Sequence, residues 1–245
     1  VKDGTVEEIY WVGGEPLMWQ IHWEVMQYLV DHDLAKNVWI RYNTNFSRTK
    51  FKQWDLKELL PHFKTVQICA SIDGTEEIVE YVRHGIKWDK WFSNFKEYTF
   101  LNEKYGDYGI AFDLTITTPG LFSLKHMFDL ALELNVHTLI KTTFAFDSSI
   151  MMCPQVLPRE LFNDVIDDIL EYIRPKVEAN PKYNYWITCL EDLKARQVFS
   201  EQYPDWEEGL KLGKERLAKV DKWRNNENIL DEIYRNNHTG VYNWW

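Results

Sequence analysis

Five strand-like segments, recurring at intervals of roughly 30 residues with helical patterns between them, constrain this chain more than any other feature. They are TVEEIYWV (Thr5 to Val12), NVWIRYN (Asn37 to Asn43), TVQICASI (Thr65 to Ile72), GIAFDLTIT (Gly109 to Thr117) and HTLIKTTFAF (His137 to Phe146). Several are nearly continuous apolar runs, the pattern of strands covered on both faces. The stretches between them carry the helical period. In SLKHMFDLALEL, Leu124, Met127, Phe128 and Ala131 fall at i, i+3, i+4 and i+7; after the first strand, Ile21, Val25 and Leu29 stack at i+4 steps. In LPRELFNDVIDDILEYI, Phe162, Val165, Ile166, Ile169 and Ile173 share one face, and Pro158 suits the helix start. Alternating β and α segments predict an α/β chain with a parallel sheet, open and doubly wound or part of a barrel. In either arrangement ligands bind at the carboxyl ends of the strands. After about residue 180 the segments YNYWITCLEDLKARQVFSEQ and DWEEGLKLGKERLAKVDKW read as helices. The expected organisation is a core over residues 1–150 and a C-terminal helical extension over 151–245.

The 245 residues, 45% hydrophobic and 27% charged, describe a globular chain. No apolar run approaches a membrane span, and no basic segment followed by an apolar one marks a secretion signal. The formal net charge of −10 argues against a broad nucleic-acid footprint. Cys69, Cys153 and Cys189 are too scattered for a disulfide framework, so a reducing, cytoplasmic setting is expected. The first residue, Val1, and the terminal Trp244-Trp245 pair lead us to expect a piece of a longer polypeptide.

Small polar groups gather where the strands end: Gly13-Gly14-Glu15-Pro16, Asn43-Thr44-Asn45, Ser71-Ile72-Asp73-Gly74, Thr115 to Pro119, and Phe144 to Asp147. Such a rim suits a small polar ligand. Adjacent glycines expose backbone N–H and C=O groups. A carboxylate beside them accepts from an ammonium, hydroxyls bond a ribose or carboxylate, and Arg83 in EYVRHG holds a carboxylate bidentately. Each motif alone is also an ordinary turn: GGEP is a turn with Pro at a helix start, Asp73-Gly74 is a common turn pair, and Asn45 is suited to cap its own turn. None of the seven histidines stands in an HExxH spacing.

The ordered series GGEPL, YNTN, SIDG and YVRHG resembles the radical S-adenosylmethionine (SAM) enzymes, most closely the branch with SPASM or twitch extensions. The likeness covers about Thr5 to Phe146, with weaker similarity in VLPREL and LAKVDKWR. It implies a partial (β/α)6 barrel, open on one side. It further implies that the backbone of Gly13, Gly14 and Glu15 binds the SAM amino group, that Thr44 and Ser71 contact its ribose or carboxylate, and that Arg83 pairs with the carboxylate. Asn45 and Asp73 are implied as supporting or turn residues.

The family's CxxxCxxC loop, which ligates three irons of a [4Fe–4S] cluster, has no counterpart in this chain. The expectation is therefore a barrel without its first βα unit, inactive alone, whose parent takes an electron from a donor, cleaves SAM reductively and abstracts hydrogen from an unknown substrate. An uncovered edge on the first strand predicts a homodimer or burial by the helical tail. No auxiliary cluster is expected from Cys153 and Cys189. Two other functions compete: a barrel hydrolase using Glu15 and Asp73 as paired carboxylates, and a non-catalytic SAM-binding scaffold.

Overall fold

The computed structural model describes residues 4–143 and 150–245. The elements run β1 Glu8–Trp11, α1 Gln20–Asp31, β2 Trp39–Thr44, a small hairpin of β3 Lys50–Phe51 and β4 Trp54–Asp55, α2 Leu56–Leu59 and β5 Thr65–Ile72. Then come α3 Glu76–Val82, α4 Trp88–Glu97, α5 Phe100–Tyr105, β6 Ile110–Ile116, α6 Leu124–Glu133 and β7 Thr138–Thr142. The C-terminal stretch is helical: α7 Arg159–Ala179, α8 Asn184–Ala195, α9 Phe199–Gln202, α10 Trp206–Arg224, α11 Ile229–Asn237 and α12 Thr239–Trp244.

Five strands form one sheet in the order β1-β2-β5-β6-β7, with β1 parallel to β2 and β2 parallel to β5. The chain is thus α/β with a five-stranded parallel sheet. Its strands follow sequence order, so the order never reverses as it does in a doubly wound sheet. No barrel is closed among the described residues. Residues 144–146 of the expected fifth strand lie outside the described residues, as does Asp147.

Two compact units divide the chain. The first comprises residues 1–72, 86–113 and 131–139. Its core is built on alternate strand positions, Ile40 and Tyr42 on β2 and Val66, Ile68 and Ala70 on β5, all at most 1% exposed. Phe95 of α4 stacks on Phe112 of β6 at 4.3 Å between ring centroids. On α1 the buried face differs from the expected one. His22, Trp23, Met26 and Leu29 are buried, whereas Ile21 is exposed. Specific polar contacts fix this rotation. His22 Nε2 lies 2.8 Å from the Tyr42 hydroxyl, and the Trp23 indole donates to the Leu17 carbonyl at 3.0 Å.

The second unit comprises residues 73–85, 114–130 and 140–245. Its long helix α7 buries Phe162, Val165, Ile166, Ile169 and Ile173, and Pro158 is its N-terminal flanking residue, as the periodicity predicts. Phe128 of α6 packs edge-on against Trp186 of α8. Helix α10 presses closely on the turn Ile150–Met152: a Cβ at Gly213 would meet Ile150 Cγ2 at 2.4 Å, and only glycine permits that approach.

Candidate functional site

In the first unit, β1 ends in a turn that glycine makes feasible. Gly13 has φ +87° and Gly14 φ +55°, the left-handed region where a side chain is strained. A Cβ on Gly13 would meet nothing within 4 Å, so space is open beside the backbone; one on Gly14 would come within 3.2 Å of the Trp19 indole. The N–H and C=O groups of both glycines make no hydrogen bond among the described residues. Glu15 then flanks a single turn of 3-10 helix, Pro16–Met18. Pro16 has no N–H to lose there, and the Glu15 carboxylate accepts from Leu17 N–H at 3.2 Å.

The same carboxylate reaches the end of β2. Glu15 Oε1 accepts from the Thr44 hydroxyl at 2.5 Å, and Oε2 accepts from Asn45 N–H at 2.7 Å. Thr44 Oγ1 in turn accepts from Phe46 N–H at 3.0 Å. Asn45 caps its own turn by accepting from Ser47 N–H at 3.0 Å, and its carbonyl accepts from the Trp91 indole at 2.8 Å. Glu15 therefore acts as a bracket that fixes two strand-end turns to each other, rather than as a free acceptor for an ammonium. Thr44 is buried, and its donor is spent on Glu15.

A second network crosses four adjacent strands of the same unit. Tyr10 on β1 donates to Asn43 Oδ1 at 2.6 Å. Asn43 Nδ2 on β2 and Ser71 Oγ on β5 both donate to Asp113 Oδ2 on β6, at 3.0 and 3.1 Å. Ser71 is thus held by Asp113, a carboxylate only 2% exposed. Charge-assisted bonds of this kind are the strong ones, and burial raises their worth. Motif spacing did not single out Asp113; the signal was a lone carboxylate inside the apolar run AFDLT.

Asp73 and Arg83 lie in the second unit. Arg83 Nε and Nη2 donate to the two Asp73 oxygens at 2.5 and 3.0 Å, a bidentate pair between the end of β5 and the end of α3. The structure thus brings Gly13, Gly14, Glu15, Thr44 and Asn45 together, joins Ser71 to Asp113, and pairs Asp73 with Arg83.

The cysteines do not fit an iron–sulfur cluster. Cys69 is buried in β5. Cys153 is buried with its Sγ 2.9 Å from both the Thr143 carbonyl and Gln155 Oε1, and Cys189 is half-buried on α8. No group of three or more His, Cys, Asp and Glu side chains is placed to hold a metal ion among the described residues. No helix among them is long and apolar enough to cross a membrane. No protein-family profile, no curated protein and no solved structure matches this chain.

Proposed function

We propose that this chain is the SAM-binding part of a radical SAM enzyme with a partial (β/α)6 barrel. The observation that carries the reading is the Glu15 bracket, which holds the GGEP turn and the Thr44-Asn45 turn as one rigid rim. With its carboxylate facing inward, Glu15 leaves the unpaired backbone groups of Gly13 and Gly14 as the polar surface toward a ligand. Carbonyl oxygens there suit a ligand ammonium, and the open space at Gly13 leaves it room. The strictly sequential strand order is also what a singly wound barrel segment has.

These residues fit SAM, and their work is binding and orientation. Gly13 and Gly14 would accept from the amino group, Glu15 would keep their turn in place through Thr44 and Asn45, and Asp113 would hold the Ser71 hydroxyl at the rim. Bound SAM supplies a sulfonium whose carbon–sulfur bond is the reactive one. A [4Fe–4S] cluster belongs to the parent in this reading, since the cysteines of this chain do not fit one. An external electron donor, a cytoplasmic home, and pairing of two copies along the β1 edge of the sheet belong to the same proposal.

The hydrolase reading is not favoured. Glu15 already accepts from three protein donors and Asp73 pairs with Arg83 through both of its oxygens, so each carboxylate is held in a structural network rather than turned toward a substrate as a general acid or base is. The test compares SAM with 5′-methylthioadenosine, which lacks the amino-acid portion. If the glycine turn recognises the amino group, methylthioadenosine binds about tenfold or more weakly. Equal affinity would remove the glycine turn from recognition.

A further inference from the structure

A cavity of about 460 Å³ lies within the second unit, a size that suits a small molecule. Three arginines line it: Arg83, Arg216 and Arg224. Asp73, also in the lining, compensates Arg83 through the bidentate pair. Arg216 has no hydrogen-bond or ion-pair partner among the described residues. Arg224 Nε is buried with no acceptor. A buried guanidinium donor left unpaired carries its full desolvation cost unless something supplies an oxygen. Asp221, one turn before Arg224, does not supply it: one of its oxygens accepts from Tyr81 at 3.0 Å, and the other is itself buried without a donor.

Helix α10 explains how such charges come to face a cavity. Gly213, Arg216, Leu217, Val220 and Arg224 lie at i, i+3, i+4, i+7 and i+11, one face of the helix. Gly213 lets that face approach Ile150 and Met151 closely, so the rest of the face looks onto the same lining. Apolar walls come from Met151 and Met152 beside Leu217 and Val220, and Thr115 and Thr117 add hydroxyls. The result is positive charge on a soft apolar floor, in a protein of net charge −10. Arginine forks match carboxylate and phosphate geometry.

We propose that this cavity binds a small organic oxyanion, a carboxylate or a phosphate ester, with Arg216 and Arg224 as its anchors and the methionine side as the seat of its apolar part. The inference rests on the second unit alone and does not need the SAM reading.

The test is calorimetric titration of the full chain at low salt with succinate, inorganic phosphate and neutral succinamide. Arg216 is exposed, so Arg216→Gln should fold as the wild type does, and Arg174→Gln serves as a control elsewhere in the unit. The expected result is saturable binding of succinate or phosphate but not succinamide, weakened about tenfold by Arg216→Gln and unchanged by Arg174→Gln. Tighter binding of succinate assigns the carboxylate class, and tighter binding of phosphate the phosphate class. No saturable binding, or equal affinity in Arg216→Gln, overturns the proposal. So does an equal loss of SAM and oxyanion affinity in that variant, because it would merge the two sites. Oxyanion binding without SAM binding would remove the SAM reading and leave this one standing.

Discussion

The carboxylate of Glu15 holds the hydroxyl of Thr44 at 2.5 Å and so ties the turn after β1 to the end of β2. The same side chain also accepts from Leu17 and Asn45 backbone N–H groups. Glu15→Gln keeps the shape but replaces an acceptor-only group by an amide, which faces those donors with one oxygen. The expected cost is about 1–2 kcal/mol in denaturant unfolding. Glu15→Ala orphans all three donors and should cost more than Glu15→Gln. A smaller loss for alanine would contradict the bracket.

Asp73 and Arg83 offer a second check. Asp73 is 9% exposed in its side chain and Arg83 26%, so the pair is mostly sheltered. Asp73→Ala leaves the guanidinium without its partner and should cost about 2 kcal/mol, below the value for a fully buried pair because water still reaches Arg83. Arg83→Lys should not rescue the pair, since an ammonium cannot donate two parallel bonds to one carboxylate. Urea denaturation of the two variants decides it.

His22 makes stability depend on pH. Burial lowers its pKa from the usual 6.5 to about 3. The unfolded chain therefore takes up a proton near pH 6.5 that the folded chain refuses until about pH 3. Its contribution is complete above pH 6.5 and is lost as pH falls toward 3, at about 1.4 kcal/mol per pH unit. Between pH 6.5 and 5 most carboxylates stay ionised, so the slope there should flatten in His22→Gln. An unchanged slope would show that His22 is accessible to protons.

Gly213→Ala tests the close approach of α10. In an ordinary helix interior that change stabilises by about 1 kcal/mol. Here the new methyl would sit 2.4 Å from Ile150 Cγ2 and 3.2 Å from Met151 Cγ. Overpacking of that kind costs about 1–3 kcal/mol, so the prediction is a net loss, read as a lowered melting temperature. A raised melting temperature would mean that α10 stands further off.

The β/α alternation was legible because burial on both faces leaves nearly unbroken apolar runs; β5 spans the expected Thr65–Ile72. The face of α1 was not. Hydropathy ranks Ile21 and Val25 above His22, yet His22 is buried because Tyr42 provides a hydroxyl at 2.8 Å and three aromatic rings surround it. A local pattern cannot display a partner twenty residues away. The strand-end residues were legible as a set, but their bonds were not. Nothing in GGEP says that its carboxylate turns inward to Thr44, or that Ser71 has its match in Asp113. Arg216 and Arg224 were hidden for a related reason: on a charged helix they read as solvated, and only the closeness of Gly213 to Ile150 turns that face onto a cavity.

The central claim is that the rim built on Gly13, Gly14 and Glu15 binds SAM. Titration calorimetry of the purified chain with SAM tests it most directly. The prediction is one saturable site with Kd of about 1 mM or tighter, weakened about tenfold in Glu15→Gln under conditions where that variant remains folded. Absence of saturable binding at millimolar SAM, or identical affinity in the variant, would contradict it.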